Sequence, residues 1–206
     1  MSPTWSRHAI VALACLAAAP AASAQAEGWH LDLEVAASRM AGGARDAVVG
    51  DGVMIRPNRP VTYGVRLQQL RNRFGYGLAI RYSRSALAFD APDASIVDHE
   101  NSFRLVEIAP EVSLRIAGQA SGPGVRARVG PVIDVWSWKL TDTYTRLGAR
   151  GGLGVDLPVG RRVAITVGGA ATLTGSMFSE ADVGPDFEVK PAVRTEVGIG
   201  LRYALR

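Results

Sequence analysis

Hydrophobic and polar residues alternate with a period of two along most of the chain. In the segment 29–35, which reads WHLDLEV, apolar residues occupy the odd positions and polar residues the even positions. A helix would mix the two sets on every face, whereas a strand separates them. The same alternation recurs in seven further segments, so the sequence predicts eight β-strands. These segments are residues 61–68, 74–83, 106–116, 125–135, 147–157, 163–173 and 193–205.

The connections between these strands alternate in length. Short turns are predicted at residues 71–73, 118–124 and 158–161. The other connections are longer, at residues 40–59, 88–101 and 174–191, with an intermediate one at 137–146. Short turns on one rim and long loops on the other are typical of outer-membrane barrels, and an even strand number closes a barrel without a free edge. We therefore predict an all-β fold, an eight-stranded antiparallel up-and-down transmembrane β-barrel.

The composition of the two strand faces favours a membrane barrel over a soluble one. One face is mainly aliphatic, whereas the other combines small residues with isolated charges. Side chains fill the interior of an eight-stranded barrel, so charges there must pair and no pore of note is expected. Arg126 and Arg128 are expected beside Glu107 and Glu111 of the preceding strand. The full lumen charge network is predicted to comprise Asp32, Glu34, Arg66, Arg81, Glu107, Glu111, Arg115, Arg126, Arg128, Asp134, Arg150, Arg194, Glu196 and Arg202.

Aromatic residues near the strand ends predict the interfacial girdles of a membrane barrel. The expected girdle residues are Trp29, Tyr63, Phe74, Tyr76, Trp136, Trp138 and Tyr203. The alternative interpretation is a soluble periplasmic binding barrel of lipocalin-like type, because alternation by itself does not identify which face meets solvent.

The first 24 residues have the three parts of a secretory signal peptide. A polar start with Arg7 is followed by an apolar run at residues 9–19 and by the small residues Ala22, Ser23 and Ala24. We predict cleavage after residue 24 and a single mature domain at residues 25–206. The only cysteine, Cys15, lies in the leader, so the mature chain has no disulfide or thiol chemistry. The predicted location is the outer membrane of a Gram-negative cell envelope.

The charge of the chain does not indicate a nucleic-acid partner. The formal net charge is +4, from 23 lysines and arginines and 19 aspartates and glutamates. The arginines are scattered singly among apolar residues instead of forming a basic stripe.

Two histidines of the mature chain are the candidates for catalysis. His30 falls on the predicted lumen face near the turn rim, and His99 falls in a predicted long loop. Either could act as a base in an enzyme that modifies lipid A or another lipid, but catalytic triads are identified by geometry that a sequence does not supply. We therefore predict no enzymatic activity, no cofactor and no metal site, with the lipid-modifying enzyme as the alternative.

The leader, the eight alternating segments, the loop asymmetry and the final segment VGIGLRYALR at residues 197–206 resemble the small eight-stranded outer-membrane barrels. This family includes the OmpA-like transmembrane domain, and the resemblance spans residues 25–206. It implies a protein of structural or surface-interaction type that presents four loops outside the cell. It also implies contact with outer-membrane lipid and lipopolysaccharide, and with the barrel-assembly machinery during biogenesis. We expect a monomer.

Overall fold

The computed structural model describes residues 27–46, 54–91, 93–119, 122–138 and 143–205. The predicted signal peptide, residues 1–24, lies outside these residues. The described chain consists of nine antiparallel strands and one short helix, α1 (Glu180–Val183). The strands are β1 (Gly28–Asp46), β2 (Met54–Pro57), β3 (Val61–Arg71), β4 (Phe74–Ala91), β5 (Ala94–Gly118), β6 (Gly124–Trp138), β7 (Thr143–Pro158), β8 (Val163–Thr174) and β9 (Phe187–Ala204).

Eight of these strands form a closed antiparallel ring. The order is β1, β3, β4, β5, β6, β7, β8 and β9, and β9 pairs back to β1. This closing seam runs from the His30–Ala204 pair at one end to the Asp46–Phe187 pair at the other. The short strand β2 pairs with β1 and β4 beyond the start of β3, so it continues the place of β3 in the sheet. The predicted eight-stranded up-and-down barrel is confirmed.

The barrel is built with its charges inside and its aliphatic residues outside. On β1, Asp32 is 1% exposed, whereas its neighbour Leu33 is 50% exposed. The same alternation continues through β4, where Arg81 is buried and Ile80 is exposed. Successive side chains of a strand point to opposite faces, so the pattern identified in the sequence separates lumen from outer surface.

Short turns join the strands at one end of the barrel, called here the turn end. They lie between β3 and β4, between β5 and β6, and between β7 and β8. In the first of them, Asn72 has a φ of 55°, a left-handed conformation that asparagine adopts more readily than most residues. Residues Gly28 and Ala204, at the outer limits of β1 and β9, also lie at this end.

The opposite end, called here the loop end, is more regular than the sequence analysis predicted. Residues predicted as long loops belong largely to strands, because β1 runs to Asp46, β4 to Ala91 and β9 begins at Phe187. Their backbone groups find partners in β2 and in each other, which satisfies the hydrogen bonds that a loop would leave to water. A membrane strand needs about 9–11 residues, whereas β5 has 25. Among the residues that the structure describes, no helix is long and apolar enough to cross a membrane.

Candidate functional site in the barrel lumen

A cluster of carboxylates and arginines fills the middle of the lumen. Arg81 lies at its centre: its Nη1 donates to Glu107 Oε1 and its Nη2 to Glu111 Oε1, both at 2.6 Å. Its Nε also donates to Glu34 Oε1. Arg66 adds bonds of 2.7 Å to Glu111 Oε2 and 3.0 Å to Glu34 Oε2. One guanidinium thus joins three carboxylates from two strands, β1 and β5, which the several N–H groups of arginine permit.

The same cluster continues toward the loop end. Arg194 pairs with both Glu107 and Glu196, and Arg150 donates to Glu196. Asp134 Oδ2 lies 3.9 Å from Arg194 Nη1. Five carboxylates therefore face four guanidinium groups in what we call the glutamate cluster. Its members are Glu34, Arg66, Arg81, Glu107, Glu111, Asp134, Arg150, Arg194 and Glu196.

Glycines on neighbouring strands make room for these long side chains. Gly64 of β3 and Gly200 of β9 lie in register with Glu34, one on each side of it. A Cβ atom at Gly64 would lie 2.6 Å from Cγ of Glu34, closer than real Cβ atoms approach. The narrow lumen therefore requires glycine beside a long charged side chain, which explains why the sequence combines glycines with isolated charges on this face.

A second charged group lies at the turn end and is centred on Asp156. Asp156 Oδ2 is 3.2 Å from Arg126 Nε and 2.8 Å from Arg202 Nη1, and Oδ1 is 3.9 Å from Arg128 Nη2. Arg202 also bonds Asp32, with Nε 2.9 Å from Oδ1. Arg115 lies in register with Arg126 on the adjacent strand. We call this group the Asp156 cluster; its members are Asp32, Arg115, Arg126, Arg128, Asp156 and Arg202.

Asp156 was not among the residues predicted for the lumen charge network. The alternation of residues 147–157 places Asp156 on the polar face of the predicted strand, and this position was the signal that could have identified it. The expected pairing of Arg126 and Arg128 with Glu107 and Glu111 is wrong. In the observed register Arg128 lies opposite Ser113, nearer the turn end than either glutamate, and both arginines therefore approach Asp156 instead.

The loop end of the lumen is apolar. Buried residues of five barrel strands meet the connection between β8 and β9, which inserts Met177 and Phe178 into the barrel. The rings of Phe103 and Phe178 pack edge to face with centroids 5.6 Å apart, and Phe103 packs in the same manner on Trp136 at 6.3 Å. We call this group the apolar cluster; its buried members are Met40, Ala44, Leu87, Phe103, Leu105, Trp136, Met177, Phe178 and Ala192.

Trp136 was expected in an interfacial girdle, and that expectation is wrong. Trp136 is 3% exposed and shares the inward face of β6 with Asp134, two residues before it. Its aromatic character suggested the outer surface, but the period of two places it inside.

The remaining predicted girdle residues lie as follows. Trp29, Tyr63, Phe74, Tyr76 and Tyr203 are exposed on the outer surface of the barrel. Trp138 is the last residue of β6, and its side chain lies outside the described part of the structure.

On β1, β4 and β5 the outward face changes from aliphatic to polar toward the loop end. Arg84 and Arg104 lie opposite each other on β4 and β5, and Arg39 lies opposite Thr195 on β1 and β9. The next outward residues toward the turn end are apolar, as in the pair formed by Val106 and Tyr82. These polar residues therefore mark the loop-end border of the aliphatic band on β1, β4 and β5, whereas on β8 and β9 the exposed residues Leu173 and Val193 extend it further.

The two histidines occupy different surroundings. His30 is 1% exposed and faces the lumen at the turn end, next to the Asp156 cluster. The backbone of His99 lies in β5, but its side chain is outside the described part of the structure. In the ranges that the structure describes, no group of three histidine, cysteine or acidic side chains has the geometry to hold a metal ion.

Comparison with known proteins identifies the fold. No protein-family model matches the chain, and no curated protein matches it in sequence. Among solved structures, Neisserial surface protein A aligns over 86% of this chain and 97% of its own, with a TM-score of 0.55 and 15% identity. The outer-membrane protein AlkL, determined in lipid bilayers, aligns over 87% of this chain and 90% of its own, with a TM-score of 0.50 and 12% identity. This chain therefore has the fold of the small eight-stranded outer-membrane β-barrels, as its sequence pattern predicted.

Proposed function

We propose that the chain is an outer-membrane barrel protein of structural or surface-interaction type, which crosses the membrane with eight strands and presents its loop end outside. The observation that carries the proposal is the aliphatic outer band around a charged lumen. An exposed apolar surface of this extent is unfavourable in water but matches lipid. A closed barrel also satisfies every strand backbone group, which a membrane requires. We call the part of the barrel that bears this band the membrane span.

The contents of the lumen support a role without a pore. The glutamate cluster and the Asp156 cluster occupy the membrane span, and the apolar cluster fills the loop end. A cavity of about 60 Å³ lies beside Arg66 and Arg128, a volume suited to a few water molecules and not to a conduction path.

The loop end supports a surface-interaction role. Strands β1, β2, β4, β5 and β9 continue past the membrane span as a hydrogen-bonded sheet, so the backbone of this surface is ordered. An ordered surface loses less conformational entropy on binding than mobile loops do. The exposed residues Arg39, Arg84 and Arg104, at the border of the aliphatic band, support contact with lipopolysaccharide, because guanidinium groups pair with phosphates.

The enzyme alternative receives no support from the position of His30. A base that acts on lipid A or another lipid must reach its substrate within hydrogen-bond distance. His30 is enclosed in the lumen at the turn end, away from the lipid-facing surface. The proposal therefore retains a non-enzymatic role. It also includes export by the leader, insertion by the barrel-assembly machinery and a monomeric state.

Fractionation of cells that express the full chain tests this proposal. We expect the protein in the outer-membrane fraction, with release only by detergent. We also expect faster electrophoretic migration without heating than after boiling, because a closed barrel resists detergent until it is heated. Recovery in the soluble periplasm without a heat-dependent shift would support the lipocalin-like alternative instead. Mass spectrometry of lipid A from cells with the wild type, His30→Ala or His99→Ala tests the enzyme alternative, which requires a difference between them.

A further inference from the structure

Four exposed arginines lie on the outer surface along one side of the barrel. Arg39 belongs to β1, Arg84 to β4 and Arg104 to β5, and Arg59 lies in the connection between β2 and β3. Backbone hydrogen bonds fix this connection to β1 on one side and to β4 on the other. Because β1, β3, β4 and β5 are neighbours in the ring, the four residues follow one another around the barrel. We call them the arginine arc.

The positive charge of the arginine arc is not neutralised by its surroundings. Arg84 and Arg104 are direct partners in the ladder between β4 and β5, an unfavourable arrangement for like charges. Arg84 Nε donates to the neutral Oγ of Ser102 at 3.2 Å. In the part of the chain that the structure describes, none of the four guanidinium groups forms an ion pair with a carboxylate. The arc can therefore take anionic groups from outside the chain.

An apolar groove of about 800 Å³ lies on the outer surface, on the turn-end side of the arginine arc. Its lining includes the outward residues Leu33, Val35, Tyr63, Val65, Ile80 and Tyr82. Along β4, Arg84 comes two residues after Tyr82, about 7 Å at the usual rise of a strand. Along β1, Arg39 comes four residues after Val35, about 13 Å further on. The groove and the arc therefore form one surface, apolar within the aliphatic band and cationic at its border.

The opposite side of the barrel lacks this combination. Toward the loop end of β7, β8 and β9 the outward positions are neutral, with Thr145, Leu173, Val193 and Thr195. A border between lipid and water therefore does not by itself require arginines in this barrel. Their restriction to β1, β4, β5 and the connection before β3, next to the groove, indicates a site and not a general lipid contact.

We infer that the arginine arc and the groove bind one molecule of lipid A, the phosphorylated anchor of lipopolysaccharide. Its phosphates lie on the arginines, whose planar forks of N–H groups match phosphate oxygens, and one acyl chain lies in the groove. A lipid with two phosphates engages more of the arc than a phospholipid with one. This inference rests on the proposed function, which presents the loop end outside and therefore places the arc in the outer leaflet.

Native mass spectrometry of the folded full-length barrel in a non-ionic detergent tests the site. We expect saturable retention of one bisphosphorylated lipid A for each barrel. Dephosphorylated lipid A and phosphatidylglycerol should bind at least about tenfold more weakly, the effect of losing charged hydrogen bonds. Equal retention of dephosphorylated lipid A would refute the role of the arc. Equal retention of phosphatidylglycerol would refute lipid A as the occupant.

Arginine variants at the two ends of the barrel test the position of the headgroup. The double variant Arg84→Gln, Arg104→Gln should weaken lipid A binding at least about tenfold, because it removes charged hydrogen bonds. Both residues are exposed, so the variant is expected to fold. Arg71→Gln, an exposed arginine at the turn end of β3, is the control with unchanged affinity. Unchanged affinity in the double variant, or an equal loss in the control, would contradict the assignment.

A second pair of variants tests the groove. Val65 lies between Leu33 and Ile80 in register, so Val65→Trp fills the groove and should lower the fraction of barrels that carry lipid A. Val129→Trp, at a 63% exposed position of β6 away from the groove, is the matched control. Equal retention by the two variants would refute acyl-chain binding in the groove.

Electrophoresis of the same samples, with and without heating, separates this inference from the proposed function. A heat-dependent shift without retention of lipid A refutes the lipid A site and leaves the membrane barrel intact. A protein that is soluble without detergent and shows no shift refutes the proposed function itself.

Discussion

The loop end and the membrane span have opposite interiors, although the same strands build both. Along β6, the inward residue Asp134 belongs to the glutamate cluster, and the next inward residue, Trp136, belongs to the apolar cluster. Along β5, Glu107 is followed in the same way by Leu105. The outer surface changes at the same height, where Arg104 replaces the aliphatic residues.

This reversal of the interior indicates where the surroundings of the barrel change from lipid to water. A protein in water buries apolar groups, and the loop end does so with its apolar cluster. Within lipid, burial of apolar groups gains little, so the lumen can be ionic provided that its charges are paired. The level of Trp136 and Arg104 therefore corresponds to the proposed border between lipid and water.

Removal of Glu107 should have the largest effect on stability. Glu107 is fully buried and binds both Arg81 and Arg194, so Glu107→Ala leaves two buried guanidinium groups short of a partner. We expect a loss of about 3–5 kcal/mol in the free energy of unfolding, the usual cost of breaking a buried ion pair. Urea unfolding in detergent measures this value. Glu188→Ala, at an exposed position, should change it by less than about 0.5 kcal/mol.

Truncation of Phe178 should test the apolar side of the comparison. Phe178→Ala leaves a cavity against Phe103 in the apolar cluster, for which we expect a loss of about 3 kcal/mol. Hydrogen exchange should also become faster in residues 175–186, while the membrane span keeps its protection. Ile96→Ala, at an exposed position of the loop end, is the control with little change. Equal loss in both variants would contradict the assignment of Phe178 to a packed core.

A pair of arginine substitutions on β9 should locate the lipid border. Ile199 and Thr195 both face outward; Ile199 lies deep in the aliphatic band, whereas Thr195 lies in register with Arg39, four residues nearer the loop end. Ile199→Arg should cost about 2–4 kcal/mol, because an arginine near the bilayer midplane is unfavourable. Thr195→Arg should cost less than about 1 kcal/mol, as expected near the interface. Folding titrations in lipid vesicles give both values, and similar costs would place the border elsewhere.

The smallest effect concerns a charge pair at the loop end. A hydrogen bond from Ser95, together with the guanidinium of Arg56, holds the pKa of Asp90 below its usual range. Since the folded-state pKa is lowered, its stabilisation is present above about pH 4 and is lost as the pH falls through the folded value. We expect Asp90→Asn to cost less than about 1 kcal/mol at pH 7. Thermal unfolding of wild type and variant at pH 7 and pH 3 should show this difference shrinking in acid.

The period of two was sufficient to predict the barrel, because side-chain direction in a strand depends only on residue parity. The same alternation places Trp136 on the inward face. The prediction of an outward position followed its aromatic side chain and not the alternation. The regular loop end was harder to predict. The register shifts between Ala86 and Leu87 and again between Ala41 and Gly43, and each shift interrupts the alternation on which the strands were identified.

The partners within the lumen could not be predicted from the sequence. Arg194 and Glu107 are 87 residues apart and meet only because the stagger of the strands brings them to one height. Gly64 illustrates the same limit, since its fit against Glu34 depends on the register of β1 with β3. Alternation identifies the face that carries a charge, whereas barrel geometry decides which opposite charge it meets.

The seam between β1 and β9 has a kinetic consequence. Until β9 is in place, both β1 and β8 present open edges that invite pairing with other chains. The seam joins residues as far apart in sequence as His30 and Ala204, so it is among the slowest contacts for the chain to find. The lifetime of the open barrel is therefore set by the arrival of its last strand, and slowing that step would expose the chain to aggregation before it is protected by closure.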